Sequence, residues 1–150
     1  MGHTFTRLLY HVVFSTEKRQ EMIHSGFRSE LLAYMHGIIR NEGARILEAA
    51  ATVDHVHLLV SAGPTHALAD LLRVLKANSS RWIHGKWPDA WAFAWQGGYG
   101  AFSVSESSVA HVTGYLQRQE EHHRHVSFRE ELRGLLETHG IAYDPAHFLD

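Results

Sequence analysis

The chain has 150 residues, 45% of them hydrophobic and 20% charged, with no cysteine and a formal net charge of −2. That length suits one domain, residues 1–150, with a buried core. The lack of cysteine excludes disulfide frameworks, thiolate zinc sites and cysteine nucleophiles. No apolar run approaches the roughly 20 residues of a membrane span and no signal-peptide pattern opens the chain, so the expected compartment is the cytoplasm, with no membrane partner. The slight negative charge supplies no general basic field, and any contact with nucleic acid must come from local patches.

Phe5 to Ser15 is rich in β-branched and aromatic residues and predicts a first strand. Phe27, Leu31, Leu32, Tyr34, Met35, Ile38 and Ile39 recur at helical spacing, which predicts a helix to Asn41 that Gly43 ends. Ala44 to Val53 and His55 to Ala62 predict two strands joined tightly near Asp54. Pro64 and Thr65 open a second predicted helix, with Leu68, Leu71, Leu72 and Leu75 on one face, running to about His84 before Trp87-Pro88 breaks the pattern. Phe93 to Ser103 predicts a fourth strand, interrupted at Gly97, Gly98 and Gly100. A third helix is expected from near Ser105 through Tyr115 to about His123. Ser127 with Glu130 marks the capping box of a fourth, which Gly140 stops. This order fits an α+β, ferredoxin-like (RRM-like) split βαβ sandwich: a four-stranded antiparallel sheet with helices, plus a C-terminal tyrosine-bearing helix. Strand order and register are not legible at this level.

Two short stretches carry chemistry. In Asp54-His55-Val56-His57-Leu58 the histidines alternate with apolar residues, so on a strand His55 and His57 share a face. Their imidazoles, roughly 7 Å apart at Cα, can converge on one divalent ion, with oxygen donors completing the shell for Mg²⁺ or Mn²⁺. Asp54 either orients an imidazole or makes the turn. In a chain with 14 histidines, a lone pair of this kind is more often packing or surface.

Downstream, Tyr115 and Gln119 are one helical turn apart on one face, with His122 and His123 near it. A phenol that attacks phosphorus keeps the chain end as a phosphodiester. A nearby cation would favour both the phenolate and the charge of the transition state, and Gln119 can lend its amide oxygen to that cation. The plain alternative is a core tyrosine with its hydroxyl at the rim.

Taken together, His55-Val56-His57 resembles the HUH motif of the HUH nucleases, and Tyr115-x-x-x-Gln119 resembles their single-tyrosine branch. With Tyr10-His-Val-Val-Phe-Ser15, Lys76-Ala-Asn-Ser-Ser-Arg-Trp-Ile83 and Trp95-Gln-Gly-Gly-Tyr-Gly-Ala-Phe-Ser103, the chain is similar to the transposases of the insertion-sequence 200/605 family. The resemblance implies a DNA transposase that binds DNA hairpins at an element's ends. It would cut and rejoin single-stranded DNA through a 5′-phosphotyrosine, leaving a free 3′-hydroxyl, in a cytoplasmic, nucleoid-associated setting. It implies Tyr115 as nucleophile and His55, His57 and Gln119 as ligands of Mg²⁺ or Mn²⁺. It also implies a homodimer in which the tyrosine helix of one subunit serves the histidine pair of the other. Arg118 stands where relatives often carry asparagine. Arg73, Lys76, Arg81 and Lys86, interleaved with Trp82 and Trp87, offer a local DNA-binding surface, against the plainer reading of a solvated helix face with tryptophans in the core. The rival from another class is a domesticated hairpin DNA- or RNA-binding module of the same fold without transposition. A two-histidine phosphoesterase would need a second His-x-Ser/Thr motif, and a metal-buffering protein would cluster its histidines in tracts.

Overall fold

A computed structural model describes residues 2–149. Four strands, β1 (Leu8–Ser15), β2 (Arg45–Ala51), β3 (His55–Ala62) and β4 (Gly100–Val104), form one sheet in the order β2-β3-β1-β4. Every neighbouring pair is antiparallel. Helices α1 (Ser25–Asn41) and α2 (Leu68–Lys86) make the two crossovers. This is the α+β, ferredoxin-like split βαβ arrangement, with a further layer of α3 (Val109–Gln117), the single turn α4 (Gln119–His122) and α5 (Phe128–Thr138).

Alternation along the strands divides the molecule into layers. Val12 and Phe14 of β1, with Val56, Leu58 and Val60 of β3, meet Phe27, Leu31, Met35 and Ile39 of α1 and Leu71, Leu72 and Leu75 of α2 in the main core. Fully burying each such side chain stabilises the fold by about 1.5–3 kcal/mol relative to exposure. The opposite face carries Val13 and Phe102, packed on Phe128 and Leu132 of α5 and on Leu149. Because helices cover both faces, β3 is buried along His55 to Val60, as a strand between two layers must be.

Several boundaries differ from expectation, each for a local reason. The first strand begins at Leu8 rather than Phe5. The second helix begins at Leu68 rather than Pro64, because His66 closes a turn by accepting from the Gly63 amide at 2.8 Å and donating to the Glu42 carbonyl at 2.7 Å. The fourth strand shrinks to Gly100–Val104, and Trp95 keeps only an isolated bridge to Thr16. At Gly100 a Cβ would lie 3.1 Å from Val13 Cγ1, so glycine lets β4 approach β1. The helix expected to run unbroken to His123 breaks at Arg118 (φ −102°, ψ 13°), where the Arg118 amide donates back to the Tyr115 carbonyl at 3.2 Å. Gly43 (φ 83°) and Gly140 (φ 67°) end α1 and α5 in the left-handed conformation. Among the described residues no helix is long and apolar enough to cross a membrane.

Candidate active site

β3 pairs with β1 so that His57 lies opposite Val13 and His55 opposite Ser15, on the face away from α1 and α2. Both imidazoles are enclosed, at 1% and 0% exposure. The Nδ1 of His55 lies 2.7 Å from Asp54 Oδ1 and 2.7 Å from Thr52 Oγ1. A carboxylate only accepts, so Nδ1 carries the proton and Nε2 is turned inward as a free lone pair when the ring is neutral. His57 is held from behind by His11, whose Nε2 lies 2.8 Å from His57 Nδ1.

The centre of the site is a residue with no place in the motifs, Glu131 in the first turn of α5. Its Oε1 lies 2.8 Å from His57 Nε2, 3.0 Å from His123 Nε2 and 3.4 Å from His55 Nε2. Its Oε2 accepts from the Tyr115 hydroxyl and, at 3.0 Å, from Gln119 Nε2. His122 Nε2 stands 3.5 Å from the same hydroxyl. The helix break at Arg118 turns Gln119 inward, where it is buried.

These contacts set the electrostatics. Burial alone would raise the Glu131 carboxyl, but the neighbouring imidazoles of His123, His55 and His57 reverse this and hold it well below the usual carboxylate range. Burial pulls His55 down, and the Asp54 and Glu131 carboxylates more than offset it, leaving that imidazole above its ordinary value. For His57 burial prevails and lowers it despite Glu131. Burial, with His57 beside it, lowers His11 to about 3, so His11 is neutral. Tyr115 is raised above the ordinary phenol value by burial and by the adjacent Glu131.

One nitrogen or oxygen each from His55, His57, His123 and Glu131 falls within 4.8 Å of the others. His55 Nε2 and Gln119 Oε1 are buried with no hydrogen-bond partner. Unpartnered lone pairs beside a buried carboxylate are costly without a cation, so this donor set fits a divalent metal ion.

Of the residues singled out in the sequence, His55, His57, Tyr115 and Gln119 come together. Arg73, Lys76, Arg81 and Lys86 lie on α2, across the sheet from this cluster. Arg73 is exposed beside Asp70, and Arg81 reaches only Asn78. Lys76 turns inward, donating to the carbonyls of Gln96 and Gly98. Lys86 pairs with Glu30. Trp82 and Trp87 pack against the main core. Glu131 escapes motif reading, yet it carries a signal: it sits between Phe128 and Leu135 on the apolar stripe of α5, where a carboxylate needs a partner. His11 carries an equivalent signal, one polar side chain between Leu9 and Val13 on a buried strand face.

Residues 4–119 match the family described as "Transposase IS200 like". The chain belongs to that family. Over 118 residues, 75% of this chain and 84% of the relative, it is 27% identical to the ISDra2 transposase TnpA of Deinococcus radiodurans. It is 26% identical over 89 residues to the transposase for insertion sequence element IS200 of Salmonella typhimurium, covering 59% of each. Among solved structures, a Deinococcus radiodurans R1 protein assigned as a transposase superposes with a TM-score of 0.63 at 25% identity, covering 79% of this chain and 96% of that one. A REP-associated tyrosine transposase bound to a REP hairpin superposes with a TM-score of 0.61 at 14% identity over 99% of this chain and 93% of that one, which speaks for the fold. The IS200-like chain is therefore an enzyme of the transposase kind, and its sheet carries His55 and His57 on the face covered by the tyrosine helix.

Proposed function

We propose that this IS200-like transposase cleaves and rejoins single-stranded DNA beside a hairpin, with Tyr115 as the nucleophile. One observation carries the reading: the Tyr115 hydroxyl, the Gln119 amide and the imidazoles of His55, His57 and His123 converge on a single buried point, now filled by the Glu131 carboxylate. A phosphate brought beside that point would meet the Tyr115 hydroxyl and an ion held by the imidazoles together.

In the forward step the Tyr115 oxygen forms a bond to phosphorus as the bond from phosphorus to the 3′-oxygen breaks. The phenol proton ends on the departing 3′-hydroxyl, and the 5′ side stays joined to tyrosine. Rejoining is the reverse, with an incoming 3′-hydroxyl as attacker. A divalent ion held by His55, His57 and Gln119 would polarise the phosphate and stabilise its developing charge. Asp54 and His11 hold the Nδ1 sides of the two imidazoles, so that each Nε2 faces the place of the ion. In the resting arrangement the Tyr115 hydroxyl donates to Glu131, and His122 is the second acceptor within reach.

A cleft of about 780 Å³ between α3, α5 and β4 runs to the hydroxyl, lined by His11, Phe102, His111, Tyr115, His122 and His139. Its size suits a nucleotide rather than a duplex. Arg73 and Arg81, with exposed heads on α2, fit contacts to hairpin phosphates. Lys76 and Lys86 act by shaping that surface, being engaged within the chain. Tyr115 lies 5.9 Å, ring centre to ring centre, from His57 of its own chain, which supports action in cis, whereas the family resemblance implies a homodimer with the tyrosine helices exchanged.

The test is a labelled hairpin oligonucleotide with a single-stranded flank and Mg²⁺ or Mn²⁺, followed by denaturing electrophoresis. Wild-type protein gives a denaturation-resistant adduct. Tyr115→Phe, which removes only the hydroxyl, keeps hairpin binding and loses the adduct. An adduct of normal yield from that variant removes Tyr115 from the mechanism, and hairpin binding with no adduct from wild-type protein leaves a binding module.

A further inference from the structure

We propose that Glu131 and His123 join His55, His57 and Gln119 on the same metal ion, forming a centre of three imidazoles, one carboxylate and one amide oxygen that takes Mn²⁺, Co²⁺ or Zn²⁺ well ahead of Mg²⁺. The inference rests on the reading that this site holds a divalent ion, and it deepens that reading by adding ligands from two elements outside the motif.

Geometry is the first support. Donor atoms around an ion with bonds of about 2.1 Å stand roughly 3.0 Å from one another in an octahedron and roughly 3.4 Å in a tetrahedron. The Glu131 Oε1 already stands 2.8, 3.0 and 3.4 Å from the three imidazole nitrogens. A small outward shift of these side chains opens the space without moving β3, which is locked between β1 and β2.

Charge is the second. Glu131 is only 5% exposed and its helix carries it there rigidly. Glu131 brings a buried carboxylate into a ring of imidazoles, where His55 Nε2 stands 3.4 Å away without a hydrogen bond, and buried charge of this kind favours a close partner of opposite sign. A dication supplies it and gives His55 Nε2 its missing partner.

Donor chemistry is the third. Mg²⁺ prefers oxygen donors and keeps several of its waters, whereas imidazole nitrogens suit first-row transition ions. Three nitrogens in a site this enclosed select against Mg²⁺. Construction of α5 agrees with a ligand role. Ser127 caps it by accepting from the Glu130 amide at 3.2 Å, and Phe128 packs 4.5 Å, centre to centre, from the His55 ring. Those contacts set the first turn, and with it Glu131, against the sheet.

The experiment is calorimetric titration of chelator-stripped protein with Mn²⁺, Co²⁺ and Mg²⁺ separately, with visible spectra of the Co²⁺ form. Wild-type protein should bind Mn²⁺ and Co²⁺ at least about tenfold more tightly than Mg²⁺. Glu131→Gln and His123→Asn should each weaken Mn²⁺ binding by more than about a hundredfold, as loss of a direct ligand must exceed the usual effect of an outer partner. Each should also shift the Co²⁺ bands, while exposed Glu121→Gln leaves both readouts unchanged. Unaltered or tighter Mn²⁺ binding in Glu131→Gln overturns the proposal and makes Glu131 a carboxylate that merely fills the seat of a phosphate. Equal affinity for Mg²⁺ and Mn²⁺ overturns the preference. No binding of any ion to wild-type protein defeats the metal reading itself. Normal adduct formation with unaltered metal binding in both variants defeats this inference alone.

Discussion

Gln119 meets Glu131 with its amide nitrogen and leaves its oxygen unpartnered, while His57 is held at both nitrogens. The two residues should therefore respond differently to substitution. His57→Gln or His55→Gln should abolish the covalent adduct, and Gln119→Ala should reduce it only in part, because an amide oxygen is the weaker donor. Adduct yield on denaturing gels reads this, and a yield unchanged in excess chelator would refute a metal role altogether. A second residue tests the electrostatics away from the site. Burial lowers Lys76 to about 8, with its ammonium donating to the Gln96 and Gly98 carbonyls and lying 5.1 Å from the centre of the Phe14 ring. Between that value and the ordinary 10.5 the unfolded chain binds the proton and the folded chain does not. Stability contributed by this group therefore rises as pH climbs through that window, and the cost of burying the charge is fully present below it. Carbon chemical shifts of the Lys76 side chain should report a midpoint near 8, and a midpoint at 10.5 would mean the ammonium stays solvated.

At the scale of elements, α5 matters more than its position near the end of the chain suggests. Its first turn delivers Glu131, and that turn is capped by Ser127. Ser127→Ala should cost about 1 kcal/mol of stability. It should also speed hydrogen exchange at Glu130 and Glu131 before the rest of the helix is affected. Equal protection in the variant would show that tertiary packing of Phe128 and Leu132 alone holds the turn. The tyrosine helix shows the converse case, where a break leaves the site intact: on either side of the tightened turn at Arg118, Tyr115 and Gln119 meet the same carboxylate oxygen.

For the whole molecule, the decisive question is whether a site is built from one chain or two. The single chain brings its catalytic and metal-ligating candidates together, with Tyr115 against its own His57 and Glu131. Mixing a His57→Ala chain with a Tyr115→Phe chain, each inactive alone, should consequently give no recovery of adduct formation. Recovery on mixing would establish exchanged helices, since one site of such a mixed dimer inherits neither defect.

Local sequence determined the elements and the motif. Alternation along β3 and helical spacing of the leucines in α2 are covalent-order properties, set by the geometry of strand and helix whatever the chain later packs against. For the same reason the shared face of His55 and His57 is legible from residue order alone. Strand register, the break at Arg118 and the company kept by Lys76 and Lys86 are not, because each depends on residues remote in sequence. Glu131 is the sharpest instance: 74 residues separate it from His57, to which it is bonded at 2.8 Å. Its helix reads by itself as an ordinary capped amphipathic segment, and only docking of that segment on the far face of the sheet turns one acidic residue in an apolar stripe into the centre of the site.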